Sequence, residues 1–195
     1  MMSDTLAREL ASVIGSSPFL AEIIGRWPEI GLPDAWLVAG AVAQTVWNRR
    51  FGLPATHGIA DVDLAYFDTR NLSEEGEADH AARIAALFRH LPVRIDVKNE
   101  ARVHLWYEQK FGYPIAPYRS VEEVIATFPT TATAIGVRPT GDGLEVMAPF
   151  GFADLLGGIV RPNKAQIRRE IYAAKVKRWL ACWPGLAIVE WDAAG

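Results

Sequence analysis

The sequence predicts an α+β fold in which helices pack around a small mixed or antiparallel sheet. Short segments rich in β-branched and aromatic residues occupy the middle of the chain, and segments with apolar residues at helical spacing lie between and outside them. Glycine and proline residues separate the two kinds of segment. Because strands and helices must each bury an apolar face, helices packed on a sheet are the expected arrangement.

The first predicted elements are two helices, a strand and a third helix. Apolar residues at helical spacing near the start predict the first helix. Ser17 followed by Pro18 suits the cap and first position of the second. The apolar run 36–39 predicts a buried strand that ends at Gly40, and residues 41–50 predict a helix that follows directly. We therefore expect a sharp strand-to-helix turn at Gly40.

The later elements are short strands separated by helices. Strands are predicted at 59–67, 93–97, 132–138 and 144–147, with a tight turn at 140–143 between the last two. Helices are predicted at 77–90, 101–111 and 120–127, and a last long helix runs from Asn163 to the Pro184–Gly185 pair. The segment 93–97 alternates apolar and charged residues, which is typical of a half-buried strand.

Length and composition predict one globular domain, 1–195, without disulfides. We expect a helical N-terminal extension at 1–33, a core at 34–160 and a basic C-terminal helix at 161–185. The single cysteine, Cys182, cannot form an internal disulfide or a thiolate metal cluster. The sequence has no secretory signal pattern and no apolar stretch approaching the roughly 20 residues of a membrane span. A cytoplasmic protein without a membrane partner is therefore expected.

The charge of the chain is unevenly distributed. The formal net charge is −3, which excludes a generally basic nucleic-acid-binding protein. Residues 160–179 carry seven bases and one acid, or +6, so that the rest of the chain carries −9. This basic segment is either a solvated helix face or a surface that meets phosphate, with Lys164 and Arg168 the first candidates for contact. Nucleic acid is a possible partner but is not favoured.

Three aspartates form the candidate catalytic and metal site. Asp61 and Asp63 are two residues apart on a predicted strand, so they face the same side while Val62 enters the core. Asp96 repeats the pattern on a later strand. If these strands are neighbours, three carboxylates meet, and their repulsion requires a cation or bound protons. Oxygen ligands favour Mg²⁺ or Mn²⁺, whereas the alternative is a set of solvated acids on an exposed strand face.

The candidate phosphate-binding residues lie upstream and downstream of these acids. Gly40 and Ala41 open a helix directly after a strand, where free backbone N–H groups favour an anion. Lys98 and Arg102 follow Asp96 closely and either neutralise a triphosphate or pair with Glu100 and solvent. Thr133 supplies a hydroxyl near the expected site, although threonine is also a good strand former.

The ordered motifs resemble the polymerase-β-type nucleotidyltransferase superfamily, and within it a family of small bacterial nucleotidyltransferase-like proteins. The resemblance extends over about residues 36–183 and excludes the first two helices. It rests on segments 39–41 with 46–48, 61–64 with 66–68, 96–104, 131–138, 148–155 and 161–163.

The resemblance implies a polymerase-β-type core in which Asp61 and Asp63 bind metal and Asp96 completes the triad. Asp96 would also orient or deprotonate the acceptor hydroxyl, while Gly40 and Ala41 would hold nucleotide phosphates through backbone N–H groups. The implied activity is Mg²⁺-dependent transfer of a nucleoside monophosphate from an NTP to an unidentified hydroxyl acceptor. Ala41 departs from the serine that is frequent at this position of the superfamily, so it offers no hydroxyl.

Other functions remain compatible with the sequence. The partners expected from the leading hypothesis are an NTP and an acceptor that is a small molecule, an RNA or a protein. The alternative is a catalytically silent nucleotide-binding or protein-interaction module on the same fold. A metal-dependent phosphohydrolase, in which water replaces the acceptor, is a third possibility.

Overall fold

A five-stranded mixed sheet forms the centre of the protein in a computed structural model that describes residues 2–141 and 143–193. Its strands are β1 (Trp36–Val38), β2 (Asp61–Tyr66), β3 (Arg94–Asn99), β4 (Gly136–Thr140) and β5 (Gly143–Met147). The spatial order is β3-β2-β1-β4-β5. The β2–β3 pair is parallel and the other three pairs are antiparallel. The predicted α+β class with a small mixed sheet is confirmed.

Helices surround this sheet. They are α1 (Met2–Gly15), α2 (Pro18–Gly25), α3 (Trp27–Ile30), α4 (Gly40–Arg50), α5 (Glu74–Leu87), α6 (Val103–Phe111), α7 (Val121–Ile125), α8 (Ala153–Gly157) and α9 (Arg169–Cys182). A separate parallel ribbon joins β6 (Ile159–Val160) to β7 (Ala187–Ile188). None of the helices in the described chain has the length and apolar character that a membrane crossing requires.

The parallel pair β2–β3 is produced by the helix between its strands. Ser73 caps α5 by accepting a hydrogen bond from the Gly76 N–H at 3.0 Å, and the helix then returns the chain to the start of β3. Alternate residues of both strands enter the core, so the intervening acidic residues share the opposite face. The strand register puts Asp63 directly opposite Asp96.

The helix α4 crosses the centre of the core. Its residues 41–48 are all buried, and Trp47 packs edge-on against Trp179 and Trp183 of the C-terminal segment. The Trp183 indole N–H also donates to Asn48 Oδ1 at 2.7 Å. These contacts fix α9 against α4, and α9 thereby reaches the aspartate face of the sheet.

The structure corrects several predicted boundaries. The last long helix begins at Arg169 rather than Asn163, because the Asn163 amide donates to the carbonyls of Ala126 and Phe128. The predicted strand 132–138 is replaced by β4, which begins at Gly136 because residues 131–133 form a 3₁₀ turn, and which ends at Thr140. The short elements α3, α8, β6 and β7 were not predicted. The predicted turn 140–143 includes Asp142, which lies outside the described residues.

Candidate active site

The three predicted aspartates line a single cavity of about 330 Å³. Asp61 and Asp63 reach it from β2, and Asp96 reaches it from β3. The parallel pairing is responsible, because residues two apart on one strand and their register partner on the next all project from one face. The polar and charged residues that line the cavity beside them are Gln44, Lys98, Glu100, Thr133, Lys175 and Arg178.

The cavity disfavours ionisation of Asp63. Burial, followed by the charges of Asp61 and Asp96, raises the pKa of Asp63 to about 6, against the opposing effect of Lys175 and Arg94. A negative charge at this position is therefore incompletely compensated by the protein. An added cation would relieve the repulsion among the carboxylates.

The two other aspartates have basic neighbours. Arg94 Nη2 lies 3.2 Å from Asp61 Oδ2, and Lys98 Nζ lies 3.9 Å from Asp96 Oδ1. Lys98 Nζ also lies 3.8 Å from Glu77 Oε1. Asp61 and Asp96 are about one-third exposed, so these ion pairs are solvated and can exchange for a ligand at small energetic cost.

A strained strand-to-helix turn borders the aspartates. Ala39 connects β1 to α4 with φ 58° and ψ −123°, a conformation that glycine adopts far more easily than alanine. This single residue turns the chain so that α4 begins at Gly40, which lines the cavity. The side chain of the next residue, Ala41, is fully buried, so only its backbone is suited to contact a ligand. The first N–H groups of a helix have no intrahelical acceptor and favour an anion.

Glu100 is a cavity residue that the sequence pattern did not indicate. It lies in a 3₁₀ turn, Glu100–Arg102, at the end of β3 and is 8% exposed. Burial, followed by the charges of Glu77 and Asp63, raises the pKa of Glu100 to about 8. Glu100 is therefore mostly protonated at neutral pH and can donate a hydrogen bond.

The basic residues of α9 that reach the aspartates differ from the two that the sequence favoured. Lys175 and Arg178 line the cavity, and burial, followed by the charge of Arg178, lowers the pKa of Lys175. Lys164 and Arg168 instead pack on aromatic rings, with cation-to-centroid distances of 5.6 Å and 4.5 Å. Both precede the helix, because α9 begins at Arg169. For a helix that begins at Arg169, the spacing of four and three residues puts Ile171, Lys175 and Arg178 on one face.

Two buried polar atoms beside the cavity lack a hydrogen-bond partner within the described chain. They are Gln44 Oε1, which is an acceptor, and the Trp179 indole N–H, which is a donor. Gln44 is 4% exposed and Trp179 is 2% exposed. Because unpaired buried polar atoms are costly, a hydrogen-bond partner for either atom would be stabilising. The sequence pattern indicated neither residue as part of the site.

The remaining predicted phosphate contacts divide between the cavity and its surroundings. Lys98 lines the cavity. Thr133 also lines it, but from the 3₁₀ turn Thr131–Thr133 rather than from a strand. Arg102 is absent from this cavity, since its buried guanidinium donates to Glu77 Oε1 at 2.9 Å and to the Leu72 carbonyl at 3.2 Å. The sequence offered Glu100 as an alternative partner for Arg102, but Arg102 pairs with Glu77 in the structure.

The donor set fits a magnesium ion that is bound together with a phosphate ligand. No three carboxylate, imidazole or thiol groups are arranged as a metal cage among residues 2–141 and 143–193. Magnesium is commonly held by one or two carboxylates together with waters and substrate phosphates, so it needs no such cage. Asp61 and Asp63 supply two carboxylates of this kind, and the raised pKa of Asp63 is the electrostatic indication that a cation suits the site.

The mixed sheet carries acids on two adjacent parallel strands beside a strand-to-helix turn. A family model described as Nucleotidyltransferase matches residues 25–188, and the chain belongs to this family. A solved structure, described as an NMR structure that reveals a CCA-adding enzyme head domain, has the same fold. It is 24% identical, with a TM-score of 0.77 over 94% of this chain and 95% of the other. A search of curated proteins finds no match.

Proposed function

We propose that this nucleotidyltransferase is Mg²⁺-dependent and transfers a nucleoside monophosphate from an NTP to a hydroxyl group of an acceptor. The observation that carries the proposal is the meeting of Asp61, Asp63 and Asp96 in one cavity with the N-terminus of α4. Acids suited to a hard cation and N–H groups suited to phosphate then face the same space. Family membership supports nucleotidyl transfer in general.

The proposal assigns a role to each group in the cavity. Asp61 and Asp63 would hold the metal, which supplies positive charge to the triphosphate and to the departing pyrophosphate. The N–H groups of Gly40 and Ala41, with Lys175 and Arg178, would bind and orient the phosphates. Most of the rate enhancement then comes from positioning and charge neutralisation.

Asp96 is proposed to act on the acceptor. Its carboxylate would receive the proton of the acceptor hydroxyl as the oxygen bonds to the α-phosphorus, while the bond from that phosphorus to pyrophosphate breaks. Glu100, which is mostly protonated at neutral pH, can donate a hydrogen bond next to Asp96 without adding a charge. Thr133 and Lys98 also line the cavity and would contact the nucleotide.

The proposed partners are an NTP and a hydroxyl-bearing acceptor in the cytoplasm, where NTPs are available. An RNA acceptor is compatible with the likeness to a structure that is described as a CCA-adding enzyme head domain. The proposal does not depend on RNA, because the catalytic step needs only a hydroxyl within reach of Asp96. Mn²⁺ could replace Mg²⁺, since both accept oxygen ligands.

Thermal unfolding with Mg²⁺ and a non-hydrolysable NTP tests the binding part of the proposal. We expect a larger rise in melting temperature with both together than with either alone, and loss of the Mg²⁺-dependent part in Asp61→Asn and Asp63→Asn. Asp79→Asn is the matched control, because Asp79 is exposed on α5, away from the cavity. An equal response in the Asp63 and Asp79 variants would contradict the assigned metal ligands.

The transfer step is tested with labelled NTPs and an acceptor panel of small molecules, RNA and protein. Mass spectrometry should show an acceptor that gains a nucleoside monophosphate in the wild type and not in Asp96→Asn. Release of inorganic phosphate or nucleotide without an adduct would instead favour a phosphohydrolase.

A catalytically silent binding module is the second candidate. The ion pairs of Asp61 with Arg94 and of Asp96 with Lys98 favour it, because they partly neutralise two acids without a metal. This candidate predicts that the NTP raises the melting temperature equally with and without Mg²⁺, and that no adduct forms.

A further inference from the structure

A second cavity lies beside the aspartates. It has a volume of about 410 Å³. Six residues line both cavities, and four of them are titratable: Asp96, Lys98, Glu100 and Lys175, together with Phe128 and Pro129. The two spaces therefore meet along a shared polar wall. A molecule in the second cavity would contact Asp96, whereas Asp61 and Gly40 line only the first of the two cavities.

The rest of the second cavity is mainly aromatic and aliphatic. Its apolar lining includes Trp106, Tyr107, Phe111, Val124, Ile167 and Ile171, from α6, α7, the segment before α9 and α9 itself. Such walls favour the apolar body of a ligand, and a volume of this size is within the usual range for small-molecule sites. An occupant would therefore place its polar end at the titratable residues that both cavities share and its apolar body against the aromatic and aliphatic walls.

A fixed hydrogen-bonded group adds specificity within these walls. The Tyr118 hydroxyl donates to Gln166 Oε1 at 2.7 Å and lies 3.1 Å from Thr127 Oγ1. Tyr113 donates to the Gln166 backbone carbonyl at 2.7 Å, which holds the same segment in place. Tyr118, Thr127 and Gln166 all line the cavity. A preformed site with a few fixed polar groups is typical of recognition of a small molecule.

The basic residues at this cavity do not form a track for a nucleic-acid backbone. Lys110 Nζ lies 5.2 Å from the Trp106 ring centroid, and Lys98 lies between Asp96 and Glu77. A single strand requires a continuous cationic groove along successive phosphates. The walls instead suit one compact apolar body.

We infer that the second cavity binds the acceptor, and that this acceptor is a small alcohol with an aromatic or apolar body. The inference rests on the proposed nucleotidyl transfer and specifies its acceptor. The hydroxyl oxygen of the alcohol forms a bond to the α-phosphorus of the NTP, and the bond from that phosphorus to pyrophosphate breaks. The hydroxyl proton passes to the Asp96 carboxylate, and pyrophosphate leaves from the first cavity.

The test fills the second cavity without altering the first. Ile171 lines only the second of these two cavities and is half-buried on α9, so Ile171→Trp should occupy its space. Ala173→Trp is the matched control, because Ala173 is exposed about half a turn around the same helix. Ile167→Trp is a second filling variant in case the first one does not fold.

The probe is 2-(indol-3-yl)ethanol, with glycerol as the alcohol that lacks an apolar body. Titrations contain Mg²⁺ and a non-hydrolysable NTP, and binding is followed by calorimetry. In the wild type we expect the indolyl alcohol to bind at least tenfold more tightly than glycerol. Ile171→Trp or Ile167→Trp should weaken this binding at least tenfold, and Ala173→Trp should leave it within twofold.

Separate titration of the nucleotide distinguishes this inference from the proposed function. All three tryptophan variants should bind Mg²⁺ and the NTP analogue as the wild type does. A wild type that does not bind the nucleotide would refute the proposed function. The acceptor inference fails if the indolyl alcohol binds to the wild type no better than glycerol does. It also fails if the filling variants retain binding, or if a short oligoribonucleotide binds more tightly than the alcohol.

Discussion

Neutralising Asp63 should stabilise the protein while removing its proposed metal binding. The folded state raises the pKa of Asp63 from an ordinary value of 3.8 to about 6. An acid with a raised pKa binds its proton more tightly in the folded state, so it opposes folding once it ionises. The contribution of Asp63 to stability therefore falls as the pH rises from about 4 to about 6. Asp63→Asn keeps the size of the side chain and removes the charge.

The expected size of this effect follows from the pKa. A rise from 3.8 to about 6 corresponds to about 3 kcal/mol, at about 1.4 kcal/mol per pH unit. The variant should therefore match the wild type near pH 3 and exceed its free energy of unfolding by about 2–3 kcal/mol at pH 8. The attraction of Asp63 to Lys175 is already included, because it lowers the same pKa.

Urea denaturation at pH values from 3 to 8, without divalent cations, measures the difference between the two proteins. Asp79→Asn controls for the loss of any carboxylate and should differ from the wild type by less than about 0.5 kcal/mol at every pH. Adding Mg²⁺ at ten times its Kd should then stabilise the wild type by about 1.4 kcal/mol and leave Asp63→Asn unchanged.

Two results would refute this reasoning. A variant that is no more stable than the wild type at pH 8 would mean that the ionised carboxylate is not disfavoured in the cavity. A stability difference that does not change between pH 4 and pH 6 would assign the effect to packing rather than to charge.

Four further substitutions test the turn, the core, a buried ion pair and the basic helix. Ala39→Gly should raise the free energy of unfolding by about 1 kcal/mol in urea, because it relieves the strain of a positive φ. Asn48→Ala should lower it by about 3 kcal/mol, since a buried indole donor loses its acceptor. Arg102→Met should lower it by about 3–5 kcal/mol yet leave the calorimetric NTP Kd within twofold. Lys175→Met should raise the Kd for the NTP at least tenfold, because Lys175 lines the cavity. Lys177→Met is the control, because Lys177 is exposed on the same helix, and it should change this Kd less than threefold. Equal effects of the two variants would contradict the role of Lys175.

The aspartate positions could be predicted because they depend on local periodicity. The two-residue repeat of a strand is sufficient to place Asp61 and Asp63 on one face. Their approach to Asp96 needed one assumption, that the two strands are neighbours, and the parallel β2–β3 pair satisfies it. The turn before α4 was predictable for a similar reason, since Gly40 stands directly between an apolar run and a helical pattern.

Residues that depend on tertiary packing were not predictable in the same way. Glu100 is buried at the end of β3, against which α5 packs, and a sequence pattern carries no record of that packing. Asn163 resembles a helix cap, but its side chain bonds to distant carbonyls and the helix starts later. The late start changes which bases of the segment face the sheet, so Lys175 takes the place expected for Lys164.

The uneven charge of the chain has a structural counterpart in the cavity. Three aspartates of the acidic part face Lys175 and Arg178 of the basic segment, because the Trp47 contacts fix α9 over the sheet. A purely acidic cavity would attract a cation but repel a triphosphate, and a purely basic one would do the reverse. The two signs lie on different elements here, so a metal and a phosphate can each find opposite charge within one space. If the proposed function holds, Mg²⁺ and an NTP should therefore bind together more tightly than either alone.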